Sequence, residues 1–580
     1  MPVPALRALL LLCAPLLAIA PASGLARASD AAGADGIAPP PQVRWVGAGA
    51  GCGFGSIQAA ILASAQNDII RVAGNQAYLN QSLAITNTSL TIAGGYAACG
   101  DAAPTSPSTL VRGNGVNSVL FITAAGTARQ VLLLRLSIWD GGPDADGGGG
   151  IEVSGPVTLT LDEVNLQRNA STNGGGLRVV GTGPANTLVR LFGGSRIGSP
   201  QAGFGNTASN QGGGIHCRDA TIDLRNGAVY GNQSVGNGGG LWLDNCALEM
   251  TALAPGVSVP VAIDGNESGL WGGGLYAGNG STIQLRSTLQ QRTRISGNIG
   301  GTGGGGVALT GATTTMFVDG VQITGNSTPQ FGGGVRVSSG ALFDMDRGSA
   351  AGSHCQSPYE AQCSVLSDNT ALSGGAIGAF SGAEVDVRQT WIEGNSATAH
   401  VVARVVDAQL FFSDNLVHAN QGTSFALFFA DGATGSIGWS TLVHNQPATL
   451  IRVDASQVSV FGSVIWQDGG QVASLGNGGT ITGQCLNVFE ASVLPGVTDD
   501  PGFIDPDDPV RPDFRLHPDA PGVDACDTAL GAPGSRDVAG QPRPFDLSGV
   551  ANTLGPYDMG AHEVGDAIFA DGFDPAGLLP

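Results

Sequence analysis

Apolar residues recur along this chain in two phrases of fixed spacing. In the first, a short glycine run leads straight into an aliphatic residue, at Ile151, Leu177, Ile215, Leu241, Leu275, Val307, Val335 and Ile377. In the second, Leu, Ile or Val stands three residues before an Asn, nine times from Leu166 with Asn169 to Leu442 with Asn445. Several copies add apolar residues eight and ten positions before that Asn, as in Leu159 and Leu161, Ile222 and Leu224, and Val385 and Val387. This alternation has the period of a strand with one buried face, not that of a helix. The glycine-led residues follow one another at intervals of 26 to 42, which is the mark of a solenoid in which each copy buries its strands against its neighbours. The pattern predicts an all-β parallel β-helix.

After Asn369 the Asn-to-Asn steps settle to 26, 25 and 25 residues, a length that suits one coil of three short strands and three corners. Longer steps earlier in the chain mark loops inserted at corners. Glycine fits such corners because it reaches positive φ without a Cβ clash, and Asn tolerates the same region next best. Asn repeated at one corner is also placed to stack as a hydrogen-bonded ladder.

Composition narrows the function classes. The chain has 580 residues, 93 of them Gly, with 42% hydrophobic and 12% charged residues and a net charge of −21. Apolar residues at ordered spacing separate it from disordered glycine-rich linkers. All 25 basic residues are Arg, scattered without a basic stripe, which argues against nucleic acid as partner. Without lysine there is no lysine base or Schiff base.

Residues 1–28 read as a signal peptide, with Arg7 before the apolar run Ala8 to Ala20 and small residues at the cleavage sites that follow. The expected location is therefore outside the cell, secreted or on the outer surface of a Gram-negative bacterium, with no transmembrane segment in the mature protein. Eight cysteines remain after Cys13, an even number for an oxidising compartment. Proximity along the chain suggests the pairs Cys52 with Cys99, Cys217 with Cys246, Cys355 with Cys363, and Cys485 with Cys526. The remaining organisation reads as an N-terminal cap and first coils (29–110), β-helix repeats (111–485), an irregular C-terminal cap (486–565) and a tail (566–580). Ser56 to Gln66 has helical apolar spacing, as expected of a short helix covering an open sheet end.

Several strings resemble known families. Ile57 to Ile61, Asp68 to Ala73 and Tyr78 resemble the entry of right-handed β-helices of the pectate-lyase-like superfamily. The glycine and Asn phrases resemble the repeats of chlamydial polymorphic outer-membrane proteins, although most copies here read GGG and carry an aliphatic residue in place of Phe. No C-terminal run of alternating strands suggests a translocation barrel. The string Asp513 to Leu516, Ala520 to Asp524, Arg536 to Gly540, Arg543 and Asp558 to Glu563 resembles the closing motif of choice-of-anchor Q domain proteins. The tail Ile568 to Phe573 resembles a short ending of exported proteins in Xanthomonas-like bacteria, which implies a sorting signal.

Candidate chemistry lies on outward columns, one residue per coil. The residues after the glycine-led aliphatics form one: Glu152, Arg178, His216, Trp242, Tyr276, Ala308, Arg336 and Gly378. Aromatic rings beside Arg and His suit a polysaccharide or a cell-surface ligand, with Arg178, His216, Trp242, Tyr276 and Arg336 as the binding residues. A second set is acidic, with Asp223, Asp344 and Asp386 as candidates for acid and base in a polysaccharide lyase or hydrolase. Asp505, Asp507 and Asp508 offer oxygen ligands for calcium, though without EF-hand spacing; no other cofactor is expected. His418 and His444, offset by one position relative to Asn420 and Asn445, are expected on opposite faces. The readings are then a non-enzymatic adhesion or glycan-binding rod, an enzyme on acidic polysaccharide, or a surface spacer.

Overall fold

The computed structural model describes residues 40–143, 147–251, 261–288, 292–347, 363–467, 469–489, 493–508, 512–527, 533–547 and 549–564. Residues 1–28, expected to be a signal peptide, the tail 566–580 and Cys355 lie outside them. The described chain is a parallel β-helix. One coil runs through Leu177–Val180, Leu188–Phe192, Arg196–Gly198 and Thr207–Gln211, and the next begins at Ile215. Like strands of successive coils pair in parallel. Among the described residues this builds a 28-stranded sheet A with two strands per coil, a 14-stranded sheet B opened by the glycine phrase, and two short sheets of five and three strands.

Register follows the apolar pattern. Leu177, Ile215, Leu241, Leu275, Val307, Val335, Ile377 and Ala403 stand opposite one another on consecutive strands of sheet B. All are fully buried and belong to one continuous core that runs from Val46 to Leu494. The glycines serve two needs, seen in one copy. Gly238 has φ +69°, in the left-handed region that glycine enters without a steric penalty. A Cβ on Gly239 would collide with the backbone of Glu267 and Gly273 in the next coil.

The second phrase makes the corner rigid. Ten buried Asn residues, 169, 206, 232, 266, 298, 326, 369, 395, 420 and 445, stack in order. From Asn206 onward each Oδ1 accepts both the backbone N–H and the Nδ2–H of the Asn one coil earlier, as Asn298 does from Asn266 at 2.9 and 3.0 Å, and at the first rung Asn169 Oδ1 accepts from Gly141 N at 2.9 Å. Each Nδ2 also donates to a core-strand carbonyl, as Asn298 does to Ile263 at 3.0 Å. Asn206 is a rung that the Leu-x-x-Asn pattern missed. In its core strand, Arg196–Gly198, Ile197 stands opposite Leu166, and the residues inserted after that strand separate the aliphatic residue from its Asn.

At the N-terminal end the helix Ile57–Ala63 buries Ile57, Ala60 and Ile61, the apolar stripe that turns it toward the core. Ser56 caps it, its Oγ accepting from Ala59 N at 3.2 Å, which satisfies one of the free amides of the first turn. Two glutamines complete the closure of the open edge. Gln58 accepts from Ala84 N at 2.8 Å and donates to Ala84 O at 3.3 Å. Gln66 holds Ser89 N and Asn87 O in the same way.

The C-terminal segment closes the solenoid on its flank as well as at its end. Leu494 joins the core, while Phe514, Val538 and Ala561 pack on Val365, Trp391, Leu416 and Val443 of the sheet A outer face. Its polar residues form a clasp. Arg543 lies 3.2 Å from Asp414 and 3.2 Å from Glu563, and its Nη2 donates to Gly560 O at 2.6 Å. Asp537 accepts from Gln541 N and Glu563 N, and Asp558 from Asp524 N and Val564 N. Disulfides join Cys52 to Cys99, Cys217 to Cys246 and Cys485 to Cys526, and Cys363 is also disulfide-bonded. No helix among the described residues is long and apolar enough to cross a membrane.

Candidate functional site

The outward column of sheet B is in register from Glu152 to Gly378 and continues through Arg404, Phe428 and Arg452. The extension escaped the glycine pattern because the strand His400–Val406 has no glycine run before it. Its signal was the step: Arg404 follows Gly378 by 26 residues, as Asn395 follows Asn369.

Within the column the rings stack on one another. His216 and Trp242 lie 4.4 Å apart at 15°, and Trp242 and Tyr276 lie 6.5 Å apart at 7°. Trp242 is only 6% exposed. Its two faces are covered by its neighbours, so a ligand on this part of the column meets ring edges and not the open faces that the sequence suggested. Burial, followed by the charges of Arg178 and Arg218, drives the His216 pKa down to about 3, so this imidazole is neutral at physiological pH. Arg178 is held by Glu152 at 2.7 Å.

A neighbouring column, formed by residues that precede the glycine runs, adds Trp271, Phe331 and Ser373. Trp271 stacks on Tyr276 at 6.4 Å, and the Arg336 guanidinium lies 4.7 Å from the Trp271 centroid. Further along, His400 stacks on Phe428 at 4.3 Å. Sheet B therefore carries a band of rings and guanidinium groups wider and longer than the five residues expected.

The acidic candidates lie on sheet A. Asp344 and Asp386 are directly opposite on adjacent strands. Arg388, which sequence reasoning did not single out, gathers them: it lies 2.9 Å from Asp344, 3.5 Å from Asp386 and 3.9 Å from Asp346. Burial raises the Asp386 pKa to about 6 against the opposing effect of Arg388, with Asp344, Asp346 and Glu384 adding to the rise, since both a drier site and like charges disfavour the carboxylate. Exposed Phe317 and Phe411 flank the pair on the same column. Asp223 is not part of this group. It stands four strands earlier on the column, about 19 Å away at the usual strand spacing. Its carboxylate pairs with Arg225 at 2.8 Å.

The calcium candidates do not converge. Among the described residues no group of three or more His, Cys, Asp or Glu is placed to hold a metal ion. Asp507 is highly exposed and its carboxylate lies 3.9 Å from His444 Nε2. His418 and His444 share a face, both packing on Phe514 at 5.2 and 6.0 Å. The left-handed φ of +49° at His444 turns it to that side and cancels the one-residue offset.

No family model, curated protein or solved structure matches the chain.

Proposed function

We propose that this protein is an exported β-helix rod that binds an elongated glycan along the outward band of sheet B and does not turn it over. The observation that carries the reading is continuity: rings and guanidinium groups occupy successive coils from Arg178 through Arg452, with gaps only at Ala308 and Gly378. Repeating contacts at strand spacing suit a repeating ligand. A disulfide between neighbouring coils, Cys217 with Cys246, is consistent with an oxidising compartment. Membership of the choice-of-anchor Q group is part of the proposal, supported by the motif residues Asp524, Asp537, Arg543, Asp558 and Glu563 meeting in the clasp.

The test is binding and turnover of the intact protein across neutral and acidic polysaccharides, beside a Trp242→Ala/Tyr276→Ala variant. Binding without turnover, weakened in the variant, supports the reading; silence on every glycan favours a spacer. The enzyme reading draws on the Asp344 and Asp386 pair around Arg388, with one carboxyl poised near neutrality, as a general acid requires. New reducing ends or unsaturated products that disappear in Asp386→Asn would establish it.

A further inference from the structure

Among the described residues, two arginines of the sheet B column make no ion-pair contact with a carboxylate, unlike other arginines of that sheet. Arg178, Arg218 and Arg452 are each paired, with Glu152 at 2.7 Å, Asp244 at 3.0 Å and Asp454 at 2.7 Å. Arg336 and Arg404 form no ion pair among the described residues, and Asp431 acts on Arg404 only from beyond ion-pair distance; Arg336 Nη1 donates to Ser338 Oγ at 2.9 Å. The chain has 46 acidic residues against 25 arginines, so a shortage of acids does not explain this.

Aromatic rings, and not carboxylates in ion-pair contact, lie against the two guanidinium groups. The Phe380 ring lies between the two guanidinium groups, 5.3 Å from Arg336 and 5.7 Å from Arg404. Trp271 covers Arg336 on the other side at 4.7 Å, and Phe331 covers Arg404 at 4.8 Å. Arg336 and Arg404 are opposite Gly378 from its two sides. Two strand spacings, about 10 Å, therefore separate their positions along the solenoid. Gly378 brings no side chain between them. Both arginines are half-buried. A cation held this way stays charged, is stripped of part of its water, and keeps hydrogen-bond donors for an incoming oxyanion.

We propose that Arg336 and Arg404 form a two-point anchor for acidic groups, carboxylate or sulfate, on a polysaccharide lying along the solenoid axis. This inference rests on the glycan-binding reading above and adds the charge class of the ligand. A single-stranded nucleic acid fits less well. Its bases need open ring faces, and here Phe380 lies between two guanidinium groups, Trp242 between His216 and Tyr276, and His400 against Phe428. Its closely spaced phosphates would also meet a protein of net charge −21. Sparser acids on a sugar chain match two isolated cations.

The experiment is calorimetric titration of the intact protein with dextran, dextran sulfate, polygalacturonate and single-stranded DNA over a range of salt. The expected result is preference for dextran sulfate or polygalacturonate over dextran. Affinity for the preferred polymer should fall about tenfold or more in Arg336→Gln/Arg404→Gln, the loss of charge-assisted contacts, and its salt dependence should flatten. The Arg336→Lys/Arg404→Lys variant should fall between the two, and unchanged melting temperatures would exclude a folding defect. Equal binding of dextran and its sulfate would overturn the charge class and leave the glycan reading standing. Undiminished binding by the Gln variant, a Lys variant as weak as the Gln variant, or DNA bound as tightly as the acidic glycans would also overturn the anchor. Failure of every polysaccharide would overturn both readings.

Discussion

The Arg543 guanidinium lies 3.2 Å from the Asp414 carboxylate, with the side chains 0% and 1% exposed. Asp414 belongs to a corner of the solenoid and Arg543 to the C-terminal segment, so this contact joins parts of the chain more than a hundred residues apart. Replacing Arg543 with Met leaves Asp414 and Glu563 buried without their cation. A cost of about 3–5 kcal/mol is expected, because breaking a buried pair strands its partner. Chemical denaturation of Arg543→Met against wild type measures it.

The clasp should weaken as pH rises. Burial, then Asp558 and Asp537, raise the Glu563 pKa to about 8 against the pull of Arg543. Burial, then Asp524, raise Asp558 to about 6. A carboxyl whose pKa is higher in the folded state than in the unfolded chain stabilises the fold below its unfolded pKa, and that stabilisation is lost as pH passes through the folded value. Protection of amides in 533–547 and 549–564 against hydrogen exchange, corrected for the intrinsic rise of exchange with pH, should therefore fall between about pH 4 and 8. Glu563→Gln, which keeps an oxygen for Phe545 N, should flatten the upper part of that profile.

The Asn ladder makes a separate prediction. Asn298→Ala removes the acceptor of Asn266 N and Nδ2 and the donor to Asn326 and Ile263. At about 1–3 kcal/mol for each buried group left unsatisfied, a loss of about 3 kcal/mol or more is expected. The damage should be local, since each coil contacts only its neighbours. Hydrogen exchange should show loosening near residues 263–326 while the coils around Asn420 stay protected.

Loss of the Cys485–Cys526 disulfide alone should act on the clasp selectively. Cys485 lies in the last long strand of sheet A and Cys526 in the flanking segment. Removing this bond through Cys485→Ser/Cys526→Ser should cost about 2–4 kcal/mol. Limited proteolysis should then cut first in 512–564; cleavage beginning in the coils around Leu241 would contradict it.

Strand periodicity and glycine spacing made the coils legible, because a β-helix repeats the same burial pattern in every turn. The column from Glu152 to Gly378 followed from that repetition. What the ring faces do did not, since stacking of His216 on Trp242 depends on side-chain torsions and not on spacing. Arg388 was invisible for another reason: its contacts with Asp344 and Asp346 reach across a 15-residue stretch, 348–362, that breaks the step between coils. The clasp was read as a motif string, but its position on the flank rests on long-range contacts such as Arg543 with Asp414.

Each rung of the Asn ladder refers only to the rung before it and the rung after it, and none is measured against the whole. Such a structure has no built-in length. A coil inserted with its own glycine run and its own Asn would find both faces ready to receive it, and a coil lost would leave two compatible faces to rejoin. The reach of this rod is thus open to change by duplication and deletion of whole turns, without redesign of either end.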